Sequence, residues 1–409
     1  MDRTETRLLP NGMRAVLVPC EAESIAFGLF VGSGSRHETA KTAGISHFIE
    51  HMLFKGTPTR TPLQITRAIE GRGGNFNAWT SEESTAYYAH LPCEYLGEAV
   101  DIISDMYLNA SIPEEEFRRE REVVIDEIKM YADEPDSVAM ENLQRSLFPA
   151  SRLGAPVAGD EKTLRTLNAG TLRRYIHSHY RPDNTIAVLA GKFEPERAYG
   201  LIARALGGRR TAKPRVAIAR DRDFGRIIPS TSVKKDIQQT QIAIGYRTFG
   251  IDDPRRYAAT VFDAVMGRGM ASRLFQEVRE KRGLSYDISS RMQFFTDAGM
   301  WTVTAGVFPR NAEKAIGTID AEIRRICERP VGAVELGRIK EFLVGNFRLT
   351  HEKVTSKLFF YGQTMLSFGR LIAPEDQIDG IRKVTSADLQ AVAKAILRSE
   401  NRSLSLVTG

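Results

Sequence analysis

Apolar and polar residues alternate in some stretches of the chain and recur with helical spacing in others. Alternation over residues 77–91 and the apolar run at residues 185–191 each predict a strand. Apolar residues three and four positions apart predict amphipathic helices over residues 96–108 and 312–326. Strands and helices are partly segregated along the chain. This predicts an α+β fold, mainly antiparallel sheet packed with helices, rather than a doubly wound sheet.

The two halves of the chain resemble each other. The residues Ile-Ala-Phe-Gly at 25–28 recur as Ile-Ala-Ile-Gly at 242–245. The pattern of residues 111–120 recurs at 330–339, so the two matches are separated by nearly the same interval. Two matches at nearly one offset indicate that a unit of about 200 residues was duplicated.

A segment rich in glycine, proline and basic residues separates the halves and is predicted to be a linker. It spans residues 207–235, between homologous units predicted at 1–206 and 236–409. The chain carries a net charge of +6, and this segment supplies much of its basic excess. The only aromatic residue in it is Phe224, so a solvated strap is favoured over a surface on which bases stack. We therefore predict no nucleic-acid partner.

Composition excludes several classes of protein. With 42% hydrophobic residues among 409, the chain has ample material for cores and is not intrinsically disordered. Its three cysteines are far apart and form no CxxC pair, which disfavours a disulfide framework and a zinc site built from cysteines. No run approaches the roughly 18 apolar residues of a membrane span, and the first residues do not resemble a signal peptide. We predict a cytoplasmic protein that does not bind membranes.

The sharpest chemical signal is the HxxEH motif at residues 47–51. On a helix, His47 and His51 share a face and can converge on one ion, while Glu50 can reach a water molecule beside it. This is the inverted form of the HExxH zinc motif, and neutral imidazoles suit Zn²⁺. The motif alone does not distinguish a zinc site from histidines packed in a core. A third ligand is needed to choose between the two.

Carboxylates for a third ligand occur on a predicted acidic helix at residues 114–134. Glu120 and Glu127 are seven positions apart and therefore face the same way. A solvated face with Glu–Arg pairs explains the beginning of this helix. It explains Glu127 less well, because the neighbouring residues Val124 and Ile128 are apolar.

Taken together, these motifs resemble the M16 metallopeptidases, also called the pitrilysin or inverzincin family. The resemblance is closest to the short-chain branch that includes mitochondrial processing peptidase and its bacterial relatives. The matching motifs keep the family's order and spacing over most of the chain: FKGT after HFIEH, GGNFNAWTSEESTAYY (73–88), REREVVIDEI (119–128), YRPDN (180–184) and REKRGLSY (279–286). The implied fold is that of LuxS and the M16 peptidases, forming half of a clamshell.

The resemblance implies one zinc ion per chain and assigns roles to five residues. His47 and His51 match two zinc ligands, and Glu127 matches the third, because its distance along the chain from His51 is the one that the family pattern requires. Glu50 matches the general base that accepts a proton from water. Glu120 matches a carboxylate that orients a ligand histidine.

The resemblance also implies residues that contact the peptide substrate. Asn77 and Ala78 match an edge strand on which extended peptides lie. Arg279 and Tyr286, in the second unit, match a pair that contacts the substrate around the scissile carbonyl. Position 346, which corresponds to Glu127 in the repeat, is asparagine, so zinc is expected in the first unit alone.

The function predicted from these matches is that of a zinc-dependent endopeptidase acting on short or unfolded peptides in a closed dimeric chamber. In the predicted homodimer, Arg279 and Tyr286 of one chain complete the zinc site of the other. The alternative is a non-catalytic subunit, or one that depends on a different partner chain. The acidic helix leaves two further possibilities open: a preference for basic peptides, or carboxylates that face bulk water.

Overall fold

A computed structural model of the chain describes residues 4–208, 221 and 223–409. Residues 209–220 and 222 of the predicted linker lie outside the described residues. Strands are numbered in chain order: β1 (Glu5–Leu8), β2 (Arg14–Pro19), β3 (Ser24–Val31), β4 (Asn75–Thr80), β5 (Thr85–Pro92), β6 (Thr185–Gly191), β7 (Ser230–Lys234), β8 (Thr240–Thr248), β9 (Ser285–Phe294), β10 (Gly299–Val307) and β11 (Arg402–Thr408).

The α-helices are numbered in the same way. They are α1 (Ile45–Leu53), α2 (Pro62–Glu70), α3 (Leu96–Asn109), α4 (Glu114–Asp133), α5 (Pro135–Leu147), α6 (Glu161–Leu164), α7 (Ala169–His179), α8 (Pro195–Leu206), α9 (Arg256–Gly267), α10 (Ala312–Glu328), α11 (Ala333–His351), α12 (Val354–Phe368), α13 (Pro374–Lys383) and α14 (Ser386–Ile396). A π-helix spans Phe275–Glu280. Short 3₁₀ turns occur at Ser35–His37, Cys93–Tyr95, Arg152–Gly154, Pro182–Asn184, Pro309–Asn311 and Ser399–Asn401.

Two sheets with the same strand connections confirm the α+β fold and the duplication. The first sheet has the order β1-β2-β6-β3-β5-β4, and the second has the order β7-β11-β8-β10-β9. In each sheet one pair is parallel, β2 with β6 and β7 with β11, and the other pairs are antiparallel. Without β1, the two orders match strand for strand.

The chain folds into two compact units that differ from its two contiguous halves. Residues 129–155 group with the second sheet, and residues 349–372 group with the first, so each half contributes a helix to the other half's unit. In addition, β7 occupies residues 230–234 of the predicted linker. It is an outer strand in which alternate residues are exposed. Because such a strand does not need a run of apolar residues, the sequence pattern did not reveal it.

The repeated glycines mark where the exchanged helices pack. A Cβ on Gly28 of β3 would lie 3.3 Å from Leu358 of α12, while one on Gly245 of β8 would lie 2.9 Å from Leu143 and Leu147 of α5. Close-packed interiors leave little room for an added methyl group at such contacts, so the leucine side chains would have to shift. The sequence similarity at the two glycines therefore reflects the same packing requirement in both units.

One predicted strand is a hairpin. Residues 77–91 take in most of β4, a turn and most of β5, and the two strands pair antiparallel with Asn77 opposite Tyr88. In the turn, the backbone N–H of Ser81 donates to the carbonyl of Ser84 over 2.8 Å. Alternation continues across this short turn, so the period of two does not reveal it.

The other predicted elements are present. The apolar run at residues 185–191 is β6, and the helices predicted at 96–108 and 312–326 are α3 and α10. The acidic helix predicted at 114–134 is α4. No helix in the described part of the chain is long and apolar enough to cross a membrane.

We predict that Gly362→Ala destabilises the first unit. Gly362 lies in α12, and a Cβ there would lie 2.5 Å from the buried ring of Phe30, so the added methyl costs about 1–3 kcal/mol. Gly200 of α8 is the matched control, because it is an exposed helical glycine with nothing within 4 Å of an added Cβ. Gly200→Ala should raise the thermal unfolding midpoint through helix propensity, whereas Gly362→Ala should lower it. Equal shifts in the two variants would contradict the packing argument.

Candidate metal centre and active site

Helix α1 is anchored at its N-terminus by a buried carboxylate. Glu38 accepts hydrogen bonds from the backbone N–H groups of Gly44 and Ser46, each over 2.8 Å, and it satisfies donors that a helix end leaves free. Gly44 has φ of +85°, and a Cβ there would lie 2.4 Å from the carbonyl oxygen of Ala158, so glycine is required. The apolar face of α1 is buried in the core: Ile45, Phe48, Ile49, Met52 and Leu53.

The opposite face of α1 brings the predicted ligands together. Nε2 of His51 lies 3.4 Å from Oε2 of Glu127, and Nε2 of His47 lies 3.7 Å from the same oxygen. The ligand atoms of His47, His51 and Glu127 all lie within 4.8 Å of one another, which makes them the one such cluster of potential metal ligands in the described residues. Donors of a tetrahedral zinc ion stand roughly 3.3 Å apart, and two histidines with a carboxylate are a known catalytic zinc set. The donors therefore fit zinc.

Glu120 orients His51 and is itself held by a lysine. Its Oε1 lies 2.8 Å from Nδ1 of His51, and its Oε2 lies 2.5 Å from Nζ of Lys55. Burial opposes ionisation of Glu120, but the hydrogen bonds from His51 and Lys55 outweigh it and lower its pKa. With Nδ1 donating to Glu120, Nε2 of His51 keeps its lone pair for a metal.

His47 is kept neutral by its surroundings. Burial, and then the proximity of His51, lower the pKa of His47 to about 4. Its Nδ1 is buried with no hydrogen-bond partner among the residues that the structure describes. The opposite shift occurs at His51, where contact with Glu120 and neighbouring carboxylates raises the pKa despite burial. A neutral imidazole is the form that binds a metal, so His47 is ready to act as a ligand at neutral pH.

Glu50 lies beside the ligands and is tied to the edge strand. The hydroxyl of Thr80, at the end of β4, donates to Oε2 of Glu50 over 2.5 Å. Burial raises the pKa of Glu50, although the Thr80 hydroxyl opposes the shift. A carboxylate with a raised pKa is better suited to accept a proton and return it near neutral pH.

Asn77 and Ala78 lie on β4, the outermost strand of the first sheet. They pair with Tyr88 and Tyr87 of β5, and the side-chain oxygen of Asn77 accepts the Ala78 N–H over 2.8 Å. Their strand is thus placed where an extended peptide could add to the sheet.

Arg279 and Tyr286 are brought together within the second unit. The guanidinium of Arg279 lies 5.2 Å from the ring centroid of Tyr286 and 4.8 Å from that of Phe275. Tyr286 is 79% exposed, which is unusual for an aromatic side chain. Cation–π contact at these distances holds the two side chains as a pair.

The beginning of α4 is a solvated face. Glu115 and Glu116 contact Arg119 over 3.0 and 2.9 Å, and Glu114 contacts Arg118 over 3.6 Å. These are pairs three or four positions apart on one helix, as the sequence indicated. This end of the helix therefore offers no strong argument for basic substrates.

Sequence reasoning did not single out Lys55, Thr80 or Glu38. Lys55 follows His51 by four positions and could have been placed on the same side by helical spacing, although α1 ends at Leu53. Thr80 is two positions after Ala78 and so shares its face of β4. No spacing rule points to Glu38, which reaches α1 through a loop.

Family models match most of the chain. The model described as insulinase, peptidase family M16, matches residues 16–161, and the model described as peptidase M16 inactive domain matches residues 166–343. The chain is 32% identical to the uncharacterized zinc protease YmxG of Bacillus subtilis, with 97% of this chain and 96% of that protein aligned. It is 33% identical to an uncharacterized zinc protease of Mycobacterium tuberculosis, with 95% and 90% aligned.

Solved structures share the fold. A protease from Helicobacter pylori superposes with a TM-score of 0.94 at 20% identity and full coverage of both chains. A protein from Pseudomonas fluorescens, described as a peptidase M16 inactive domain, superposes with a TM-score of 0.89 at 17% identity, covering 99% of this chain and 98% of that one.

We predict that Glu127→Gln weakens zinc binding by more than about 100-fold, because a neutral amide replaces an anionic ligand. Zinc affinity of the metal-free protein would be measured by competition with a chromophoric chelator. Glu122→Gln is the matched control: Glu122 lies on the same helix, is half exposed and contacts Arg121 and Arg165. Wild-type affinity in the Glu127 variant would contradict the ligand set.

Proposed function

The chain belongs to peptidase family M16, and on that premise we propose that it is a zinc-dependent endopeptidase that hydrolyses short or unfolded peptides. The observation that carries the proposal is the convergence of His47, His51 and Glu127 with Glu50 beside them. The alternative of a non-catalytic subunit is disfavoured, because all four side chains of the hydrolytic set are present.

The proposed chemistry divides among residues of the first unit. His47, His51 and Glu127 would hold the zinc ion, which would act as a Lewis acid on the scissile carbonyl and lower the pKa of the attacking water. Glu50 accepts a proton from the attacking water and returns it to the leaving amine. Thr80 holds the Glu50 carboxylate through its hydroxyl.

The substrate is proposed to bind as an added strand along β4. Asn77 and Ala78 would then contact its backbone, so recognition depends on an extended conformation more than on particular side chains. A folded protein cannot present such a segment without local unfolding, which favours short or unfolded peptides as substrates.

We further propose a homodimer with composite sites, in which Arg279 and Tyr286 of one chain serve the zinc site of its partner. Support comes from the family resemblance and from the exposure of Tyr286 beside Arg279. In this arrangement the Tyr286 hydroxyl donates to the developing oxyanion, and the Arg279 cation favours the same charge.

We predict that Glu50→Gln lowers peptide cleavage by about 10²–10⁴-fold while zinc affinity stays near the wild-type value, because the amide cannot accept a proton. Cleavage of a mixed peptide library would be followed by mass spectrometry, with and without a chelator. Glu70→Gln, at the exposed end of α2, is the control and should cleave like wild type. Undiminished cleavage by the Glu50 variant would overturn the mechanism.

We predict that mixed dimers distinguish composite sites from sites built within one chain. A Glu50→Gln chain paired with an Arg279→Ala chain should show about half of wild-type activity, since one of its two composite sites is complete. A chain carrying both substitutions, paired with a wild-type chain, should be inactive. Differently tagged chains would be co-expressed and the mixed dimers purified. The reverse pattern of activities, or a fully active monomer, would contradict the composite site.

A further inference from the structure

Lys55 sits on a segment whose backbone has little freedom. Its N–H donates to the carbonyl of Met52 over 3.1 Å, which continues the last turn of α1. The next residue, Gly56, has φ of +101°, and a Cβ there would lie 2.9 Å from the carbonyl oxygen of Arg60. The chain therefore turns sharply directly after Lys55, and only glycine adopts that turn without strain.

The loop that follows Lys55 is held by a buried carboxylate on α3. Asp105 accepts hydrogen bonds from the hydroxyls of Thr57 and Thr59 over 2.8 and 3.1 Å, and it pairs with Nη1 of Arg60 over 2.6 Å. Charge-assisted bonds of this kind are among the stronger ones in proteins. The backbone at Lys55 is thus held by the last turn of α1 before it and by the contacts of Asp105 with the loop after it.

From this position Lys55 contacts the carboxylate of Glu120, which in turn contacts His51. Oε2 of Glu120 contacts the ammonium group of Lys55, and Oε1 contacts Nδ1 of His51. The side chain of Glu120 is 8% exposed, so removal of Lys55 would leave a buried charge without its cation. Two contacts on opposite oxygens fix the plane of the carboxylate, and with it the ring of His51.

We propose that Lys55 is a positioning residue that holds His51 in its metal-binding orientation through Glu120. The inference rests on the proposed zinc site. It differs from a plain stabilising ion pair, because the effect of Lys55 on zinc must pass through Glu120.

The test measures zinc affinity, with zinc alone as the probe and a chromophoric chelator as competitor. We expect Lys55→Met to weaken zinc binding by about 10-fold, the lower end of the range for groups that support metal ligands. In a Glu120→Gln background, the same substitution should change affinity by less than about twofold, because the coupled path is already broken. Lys55→Arg keeps the cation and should retain most of the affinity.

Lys192→Met is the matched control, since Lys192 lies 3.7 Å from Glu23 in an exposed pair of the same unit and should not affect zinc. Wild-type affinity in Lys55→Met, or an equal loss in the Glu120→Gln background, would overturn the inference while leaving the zinc site intact. A wild-type chain that binds no zinc would overturn the proposed function and this inference with it. If the methionine variant does not fold, Lys55→Gln, which keeps a polar side chain without the cation, takes its place with the same expected loss and the same contradicting outcomes.

Discussion

The candidate metal site depends on how α1 packs against α4, and Phe48 stacks on Phe117 where these two helices meet. Phe48 lies on the buried face of α1 and Phe117 near the beginning of α4, with their ring centroids 4.9 Å apart and both rings out of contact with water. By joining α1 to α4, this apolar contact favours the approach that places Glu127 opposite His47 and His51. Apolar packing therefore helps to hold the three donor groups together although they are partly buried.

Periodicity explains which parts of this arrangement could be predicted. His47 and His51 share a face because they are one helical turn apart, and Glu120 and Glu127 share a face because they are two turns apart. Spacing places each pair on one face of its helix, and the tertiary fold brings the two pairs together. Thr80 reaches Glu50 across the end of a hairpin whose turn the alternating pattern concealed. Which residues share a face of one element follows from spacing, whereas contacts between elements require the tertiary fold.

Helices α5 and α12, which are exchanged between the two halves, show the same limit on what the sequence can predict. Gly28 and Gly245 stood out as a repeat, but the sequence did not reveal what each glycine accommodates. Gly28 receives Leu358, which lies near the other end of the chain, and Gly245 receives Leu143, which belongs to the preceding half. No local pattern reports a partner at such separations, because α5 and α12 look like ordinary amphipathic helices wherever they pack. The predicted boundaries at residues 206 and 236 stay a prediction for the same reason.

The two copies use buried polar groups in different ways. In the second unit, α9 takes the place of α1 and carries Asp263, which is fully buried. One of its oxygens accepts from Ser290 over 2.7 Å and from Trp301 over 3.0 Å, and the other accepts from Arg268 over 2.6 Å. Ser290 and Trp301, on β9 and β10, fasten α9 to the sheet, and the three donors together use most of the carboxylate's acceptor capacity. In the first unit the buried carboxylate that fastens the helix is Glu38, which lies outside α1 and accepts from N–H groups at its N-terminus. The polar face of α1 is thereby left for the candidate ligands, whereas the carboxylate carried by α9 is engaged with its own sheet.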